Sequence, residues 1–203
     1  VDPNVLDPSG RTSIDWYVPS FDGAKVAVSL SHAGTESGDV HVFDMIQGRK
    51  LGDVVPRVNG GTAGGSLAWG ADGAGFFYTR YPRPGENPPE ELGFDVHVHW
   101  HTLGADPALD RYEIGREFPR IAEIRLESSR DGRLTLASVQ KGDGGEFTHW
   151  LRDRQGAWLA LTRYEDRCVA ARLAHDGAIY FVSLCEAARG RVLRLAGDDA
   201  ARG

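Results

Sequence analysis

The chain reads as an all-β protein of the β-propeller class, about four blades of four antiparallel strands, on three observations. Helical periodicity sustained over ten or more residues is almost absent. Short β-branched and aromatic runs bounded by Gly, Asp and Pro fill the sequence instead. One pattern, strand then Asp-Gly then strand, occurs four times, at Asp22-Gly23, Asp72-Gly73, Asp131-Gly132 and Asp176-Gly177. Asp bonds its own backbone and Gly tolerates positive φ, so each pair suits a short hairpin connection. Regular strands with turn signals also suit a sandwich, which would not need its hairpins to resemble one another.

The elements follow in order. Residues 1–10, VDPNVLDPSG, read as a connector. A first blade over 11–58 holds the hairpin "WYVPSFDGAKVAVSLS" from Trp16, the strand "DVHVFDMIQGRKL" from Asp39 and a further strand-like run at Val54–Val58. A second, over 60–118, holds "SLAWGADGAGFFYTRYP" from Ser66, "FDVHVHWHTLGAD" from Phe94 and a run at Arg111–Ile114. Its insertion from Pro82 to Gly93 carries four prolines and three acidic residues, which predicts an exposed, mobile loop. A third blade, over 119–165, holds "IRLESSRDGRLTLASVQ" from Ile124, "FTHWLRDRQGAWLAL" from Phe147 and a run at Trp158–Thr162. The fourth, over 166–203, holds "VAARLAHDGAIYFVSLC" from Val169 and "GRVLRLAG" from Gly190. Recurrence every ~40 to 60 residues is blade spacing. Aromatics at alternating strand positions, Trp16, Trp69, Phe76, Phe77, Tyr78, Trp100, Trp150 and Trp158, are expected in the blade cores.

At 203 residues and 41% hydrophobic content the chain can bury a sizeable core. A net charge of -6 offers no field for a phosphate backbone, so nucleic acid is excluded as a partner. No apolar run approaches a membrane span. Two cysteines, Cys168 and Cys185, are too few for a disulfide framework. They read as two buried free thiols in a reducing, cytoplasmic setting, with a periplasmic one left open. A start at Val1, without Met or a signal-type stretch, is expected of the inside of a longer protein.

No catalytic residue is expected. The nearest approach to a G-x-S-x-G elbow is Gly64-Gly65-Ser66-Leu67-Ala68, which lacks the last Gly and runs into a strand rather than a helix. The same stretch, "GGTAGGS" from Gly60, imitates a phosphate loop in spacing but lacks the Lys and the helix, and reads as a flexible connection between blades. "HVHWH" places His97, His99 and His101 on one strand face, three imidazoles for a metal. Alternate residues lie about 7 Å apart along a strand, too far for one ion, so an edge-exposed polar face is the preferred reading and no cofactor is expected.

Taken together, "LDPSG" at Leu6, "SFDGAKVAVSLSHAGTESGDVHVFD" from Ser20, "SLAWGADGAGFFYTRYPR" from Ser66, "HTLGAD" at His101 and "FPRIAEIRLESSRDGRLTLASV" from Phe118 resemble the propeller of the prolyl oligopeptidase family of serine peptidases. The resemblance covers the chain to about Val139 and thins towards Gly203. It implies part of a larger, seven-bladed propeller that sits as a lid over an α/β-hydrolase domain and admits short peptides. The nucleophile, acid and histidine would lie in that domain, beyond Gly203, so the propeller alone is expected to be inactive. The resemblance also places the Gly60–Gly65 turn near the central tunnel. At "SVQKGDGGEF" the family commonly supplies an arginine towards the peptide, where Gln140 and Lys141 stand here. Lys141 replaces the charge but not a planar, bidentate contact. The substrate-facing candidates are therefore Gly60, Gly61, Thr62, Gly64, Gln140 and Lys141. Alternatives are cleavage after a basic residue, as in oligopeptidase B, and a stand-alone propeller that binds a protein or small ligand. Four blades cut from a ring would leave exposed edges and faces, which predicts self-association.

Overall fold

The computed structural model describes residues 1–197 and shows four successive antiparallel meanders. After a one-turn helix α1 (Pro3–Leu6), the first sheet is β1 (Thr12–Pro19), β2 (Lys25–His32), β3 (Gly38–Asp44) and β4 (Arg49–Val55). The second is β5 (Leu67–Trp69), β6 (Gly75–Arg80), β7 (His97–Thr102) and β8 (Arg111–Ile114). The third is β9 (Ala122–Ser128), β10 (Thr135–Lys141), β11 (Phe147–Arg152) and β12 (Trp158–Ala160). The fourth is β13 (Cys168–Leu173), β14 (Ile179–Ser183) and β15 (Arg191–Leu195), three-stranded among the described residues. The fold is nearly all-β, in sheets of three and four strands. In every sheet the strands pair in chain order.

The four Asp-Gly turns share one geometry. The Asp Oδ1 accepts the N–H two residues on, from Ala24 at 3.0 Å, Ala74 at 2.9 Å, Arg133 at 3.1 Å and Ala178 at 3.0 Å. The following glycine sits at φ +71°, +61°, +61° and +79° in turn, the left-handed region where a side chain is strained. The first blade departs from expectation at its last strand, which runs over Arg49–Val55 rather than Val54–Val58. Asp44 Oδ1 accepts N–H bonds from Ile46 and Gln47, which closes the preceding turn early and lets pairing start at Arg49.

The core lies between the sheets. Ala27, Val40, Val42 and Val55 of the first pack on Trp69, Phe76 and Tyr78 of the second. Ala68, Phe77, Val98 and Ile114 of the second pack on Ile124, Leu126, Ala137 and Val139 of the third. Leu134, Leu136 and Leu151 of the third pack on Cys168, Ala171, Ile179 and Phe181 of the fourth. Strand alternation sends successive side chains to opposite neighbours, so both faces of the middle sheets are buried. Burying one Phe side chain contributes roughly 2–3 kcal/mol, and Phe76 is fully buried between the first two blades. Trp69, Phe76, Phe77 and Tyr78 are buried as expected, whereas Trp16, Trp100, Trp150 and Trp158 are half-buried at the flanks.

First strands lie side by side: β1 touches β5, β5 touches β9, and β9 touches β13. Trp69 Nε1 donates to Val18 O at 2.9 Å and Leu126 N donates to Ser66 Oγ at 2.9 Å, cross-linking neighbouring inner strands. Among the described residues the outward faces of the first and fourth blades carry exposed apolar side chains, with Tyr17 at 67% and Val192 at 69% exposure.

The Pro82–Gly93 insertion differs from the mobile loop its composition predicts. Arginines from outside and within hold it: Arg57 Nε donates to Pro82 O at 2.7 Å, Arg83 Nη2 donates to Pro107 O at 2.7 Å, and Arg120 Nη2 pairs with Glu91 at 2.8 Å. Its middle is exposed but its ends are fixed.

Candidate functional site at the inner strands

A cavity of about 380 Å³ opens where the inner strands of the third and fourth blades meet the turn that enters the second. The turn supplies Ala63–Gly65, β9 supplies Glu123 to Arg125, β10 supplies Ser138 and Gln140, and β13 supplies Val169 to Arg172. Phe147, at the start of β11, adds an aromatic wall. Register explains the assembly. Glu123 pairs with Gln140 and Arg125 with Ser138 across β9 and β10, so the four project from one face.

The glycine turn is held firmly, contrary to its reading as a flexible connection. Gly64 N donates to Gly60 O at 2.8 Å, and Gly60 N donates to Gly64 O at 3.2 Å. Tyr81 Oη accepts the Ala63 N–H at 2.9 Å and donates to Gly64 O at 3.1 Å. The Tyr81 ring lies so close to Gly60 that an added Cβ would sit 2.8 Å from it. Glycine there makes room for the tyrosine.

Of the candidates from the sequence, Gly64 and Gln140 come together on the cavity. Gly60 lies under Tyr81, and Gly61 and Thr62 form the exposed tip. Lys141 is absent from the cavity wall. It follows Gln140 on the same strand and so points to the opposite face, where its ammonium lies 3.8 Å from Glu146 and 5.8 Å from the Tyr164 ring centroid. Arg125 and Arg172, which sequence reasoning missed, supply the positive charge instead. The signal was present in β9, where Ala122, Ile124 and Leu126 alternate with Glu123, Arg125 and Glu127 on an otherwise apolar inner strand. Two guanidiniums, one carboxylate, an amide and an aromatic ring line it together, a set suited to holding a ligand by charge and hydrogen bonds. The one hydroxyl of the wall, Ser138, has no imidazole among its fellow lining residues. Ser66 is engaged structurally, its Oγ accepting from Leu126 and its N–H donating to Thr79 Oγ1 at 2.7 Å.

The histidine strand also departs from expectation. β7 is flanked by β6 and β8, so His97, His99 and His101 do not form an edge-exposed face. His99 is buried, His101 is fully buried and His97 half-buried. The His97 and His99 ring centroids are 6.5 Å apart. Among the described residues no group of three or more His, Cys, Asp or Glu side chains is placed to hold a metal ion. His101 has another task. Its Nδ1 lies 2.8 Å from Asp110 Oδ1 and its Nε2 lies 3.2 Å from Asp53 Oδ1, with Tyr78 Oη donating to Asp110 at 2.7 Å. Burial alone would push His101 down, but its bonds to Asp110 and Asp53 outweigh that and raise it above the ordinary imidazole value. A carboxylate at each ring nitrogen makes both nitrogens donors, so the ring is an imidazolium that ties the first blade to the second.

The thiols are free. Cys168 is buried, and burial pushes it up, while Cys185 is only half-buried, which corrects the expectation of a buried pair.

The description "Prolyl oligopeptidase, N-terminal beta-propeller domain" belongs to the family profile that matches residues 1–202. A prolyl endopeptidase of Elizabethkingia meningoseptica is 30% identical over 147 residues, covering 71% of this chain and 20% of that protein. Prolyl oligopeptidase A of Galerina marginata is 25% identical over 164 residues, covering 74% and 22%. The chain thus spans about a fifth of the length of the curated relatives it matches. Among solved structures, one from a structural and mechanistic analysis of two prolyl endopeptidases superposes at TM-score 0.82 with 22% identity, over 100% of this chain and 29% of that one. Oligopeptidase B from Leishmania major gives 0.74 with 15% identity, over 99% and 27%. Four meanders stacked through their inner strands, matched by that profile along almost their whole length, place the chain in the prolyl oligopeptidase N-terminal β-propeller family.

Proposed function

We propose that this propeller is the non-catalytic substrate filter of a prolyl oligopeptidase-like serine peptidase, docked in the same parent chain on an α/β-hydrolase domain that carries the nucleophile. Short peptides are its ligands, and the inner-strand cavity is a station on their way. The observation that carries this reading is the convergence of Gly64, Gln140, Phe147, Arg125 and Arg172 on one opening beside the inner strands. Specificity for proline is favoured over cleavage after basic residues because the 30% identical relative is a prolyl endopeptidase. The open apolar faces of the first and fourth blades suit the stacking of further blades, and in isolation they favour self-association, which light scattering would detect. The cysteine usage supports a cytoplasmic setting.

The test uses the full parent protein. Gln140→Trp, which fills the cavity, should lower kcat/KM for peptides of several residues while leaving a minimal single-proline ester nearly untouched. Equal rates on both substrates in the variant and the natural protein would sink the filter reading.

A further inference from the structure

A second cavity, of about 290 Å³, lies on the second blade between β6, β7, β8 and the anchored insertion. Among the described residues, five buried side-chain nitrogens lack a hydrogen-bond partner. Three of them, Arg80 Nε, His99 Nδ1 and Arg83 Nε, belong to or adjoin this cavity. Buried donors without acceptors mark a place where an acceptor belongs.

The geometry says which acceptor. Arg80 gives one terminal nitrogen, Nη1, to Glu86 Oε1 at 3.0 Å, and Glu86 Oε2 accepts the Arg83 N–H at 2.8 Å. The Nε edge of Arg80, the edge that pairs side-on with a carboxylate, is left unpaired. Arg116 stacks 4.8 Å above the Tyr112 ring centroid, an arrangement that orients a guanidinium while its N–H edges stay free. His99 is 4% exposed, and burial together with Arg80 holds it down to about 3, so near neutrality it is an uncharged imidazole able to donate from one nitrogen. Arg80 and Arg116 are balanced by Glu86 and Asp95 in the wall, and just outside it Arg83, felt at His99, is offset by Glu117, felt at His97. In these near-neutral surroundings the unpaired Arg80 edge decides, and it suits a monoanion better than a dianion or a cation.

We infer that this cavity binds a small monocarboxylate, held side-on by Arg80 Nε and supported by Arg116 and His99, with Glu86 of the insertion as its internal competitor. The carboxylate has two sources, a free short-chain acid or the C-terminus of a peptide. The site stands apart from the inner-strand cavity and does not depend on the filter reading.

The test is a titration of the ¹⁵N-labelled chain followed by amide shifts, with acetate, a glycine tripeptide with a free C-terminus, and the same tripeptide amidated. Acetate or the free tripeptide should saturate the amides of Arg80, His99 and Arg116, and the tighter of the two names the source. The amidated peptide should not. Arg116→Gln, at an exposed position, should weaken binding about tenfold, the loss of one charge-assisted contact. Glu86→Gln should tighten it by removing the competitor. The inference is overturned if neither carboxylate moves these amides, if the amidated peptide moves them equally, or if Arg116→Gln leaves the affinity unchanged in a chain that still gives a folded spectrum.

Discussion

His101 and His149 are both fully buried at blade interfaces, and they are held in opposite charge states. His101, between the first and second blades, has a carboxylate at each ring nitrogen. His149, packed on Phe181 between the third and fourth, has Thr162 Oγ1 2.9 Å from Nδ1 and, among the described residues, no hydrogen-bond partner at Nε2, and burial pushes it down to about 4. The same side chain is thus an ion in one interface and a neutral aromatic in the other. Partners decide the difference, since burial is common to both.

The sharpest way to break the contrast is His101→Leu. It leaves Asp53 and Asp110 buried without their cation and should cost about 3–5 kcal/mol in urea unfolding. A loss below about 1 kcal/mol would show that the cluster is not charged.

A pH series separates the two rings next. His101 is raised, so its contribution is complete below the ordinary imidazole value and is lost as pH rises through its folded value. His149 is depressed to about 4, so its contribution is complete above about 6.5 and is lost as pH falls towards 4, on the order of 3 kcal/mol. Buried His99, at about 3, adds to the acid limb. Thermal melts should therefore fall off on both sides of a maximum, with His101→Leu flattening the alkaline side and His149→Leu shallowing the acid one. An alkaline limb unchanged by His101→Leu would refute the assignment.

A smaller effect distinguishes the repeated turns. An added Cβ at Gly132 would strike the backbone of Ala71 in the neighbouring turn, whereas at Gly23 it would meet nothing within 4 Å. Gly132→Ala should cost roughly 2–3 kcal/mol and Gly23→Ala only about 1 kcal/mol, the cost of positive φ alone. The mildest change is His149→Leu at neutral pH, which removes a Thr162 contact but strands no charge, and should stay within about 1 kcal/mol.

The hairpins and meanders were legible because their causes are local. Asp-Gly with alternating apolar residues on either side states the turn and the strands in one stretch. The site was half legible. Gln140 and Lys141 are neighbours in sequence, and only the register of β10 says that one faces the cavity and the other Tyr164. His101 could not be read at all, because Asp53 lies 48 residues away and meets it only when two blades stack. The rigidity of the Gly60–Gly64 turn was hidden for the same reason, since Tyr81 is supplied from beyond the next hairpin.

The pairing of strands in strict chain order has a consequence for how such a chain changes over generations. Among the described residues, every hydrogen-bonded neighbour within a sheet is also a neighbour in sequence, and no strand is lent from one sheet to another. A duplication or excision that begins and ends in the connections between sheets therefore carries away a finished part and leaves the remaining parts intact. Only the side chains at the two new seams must be refitted. A lineage built this way grows or shrinks by whole sheets, and the residues that resist exchange are those, like His101, whose partners sit across a seam.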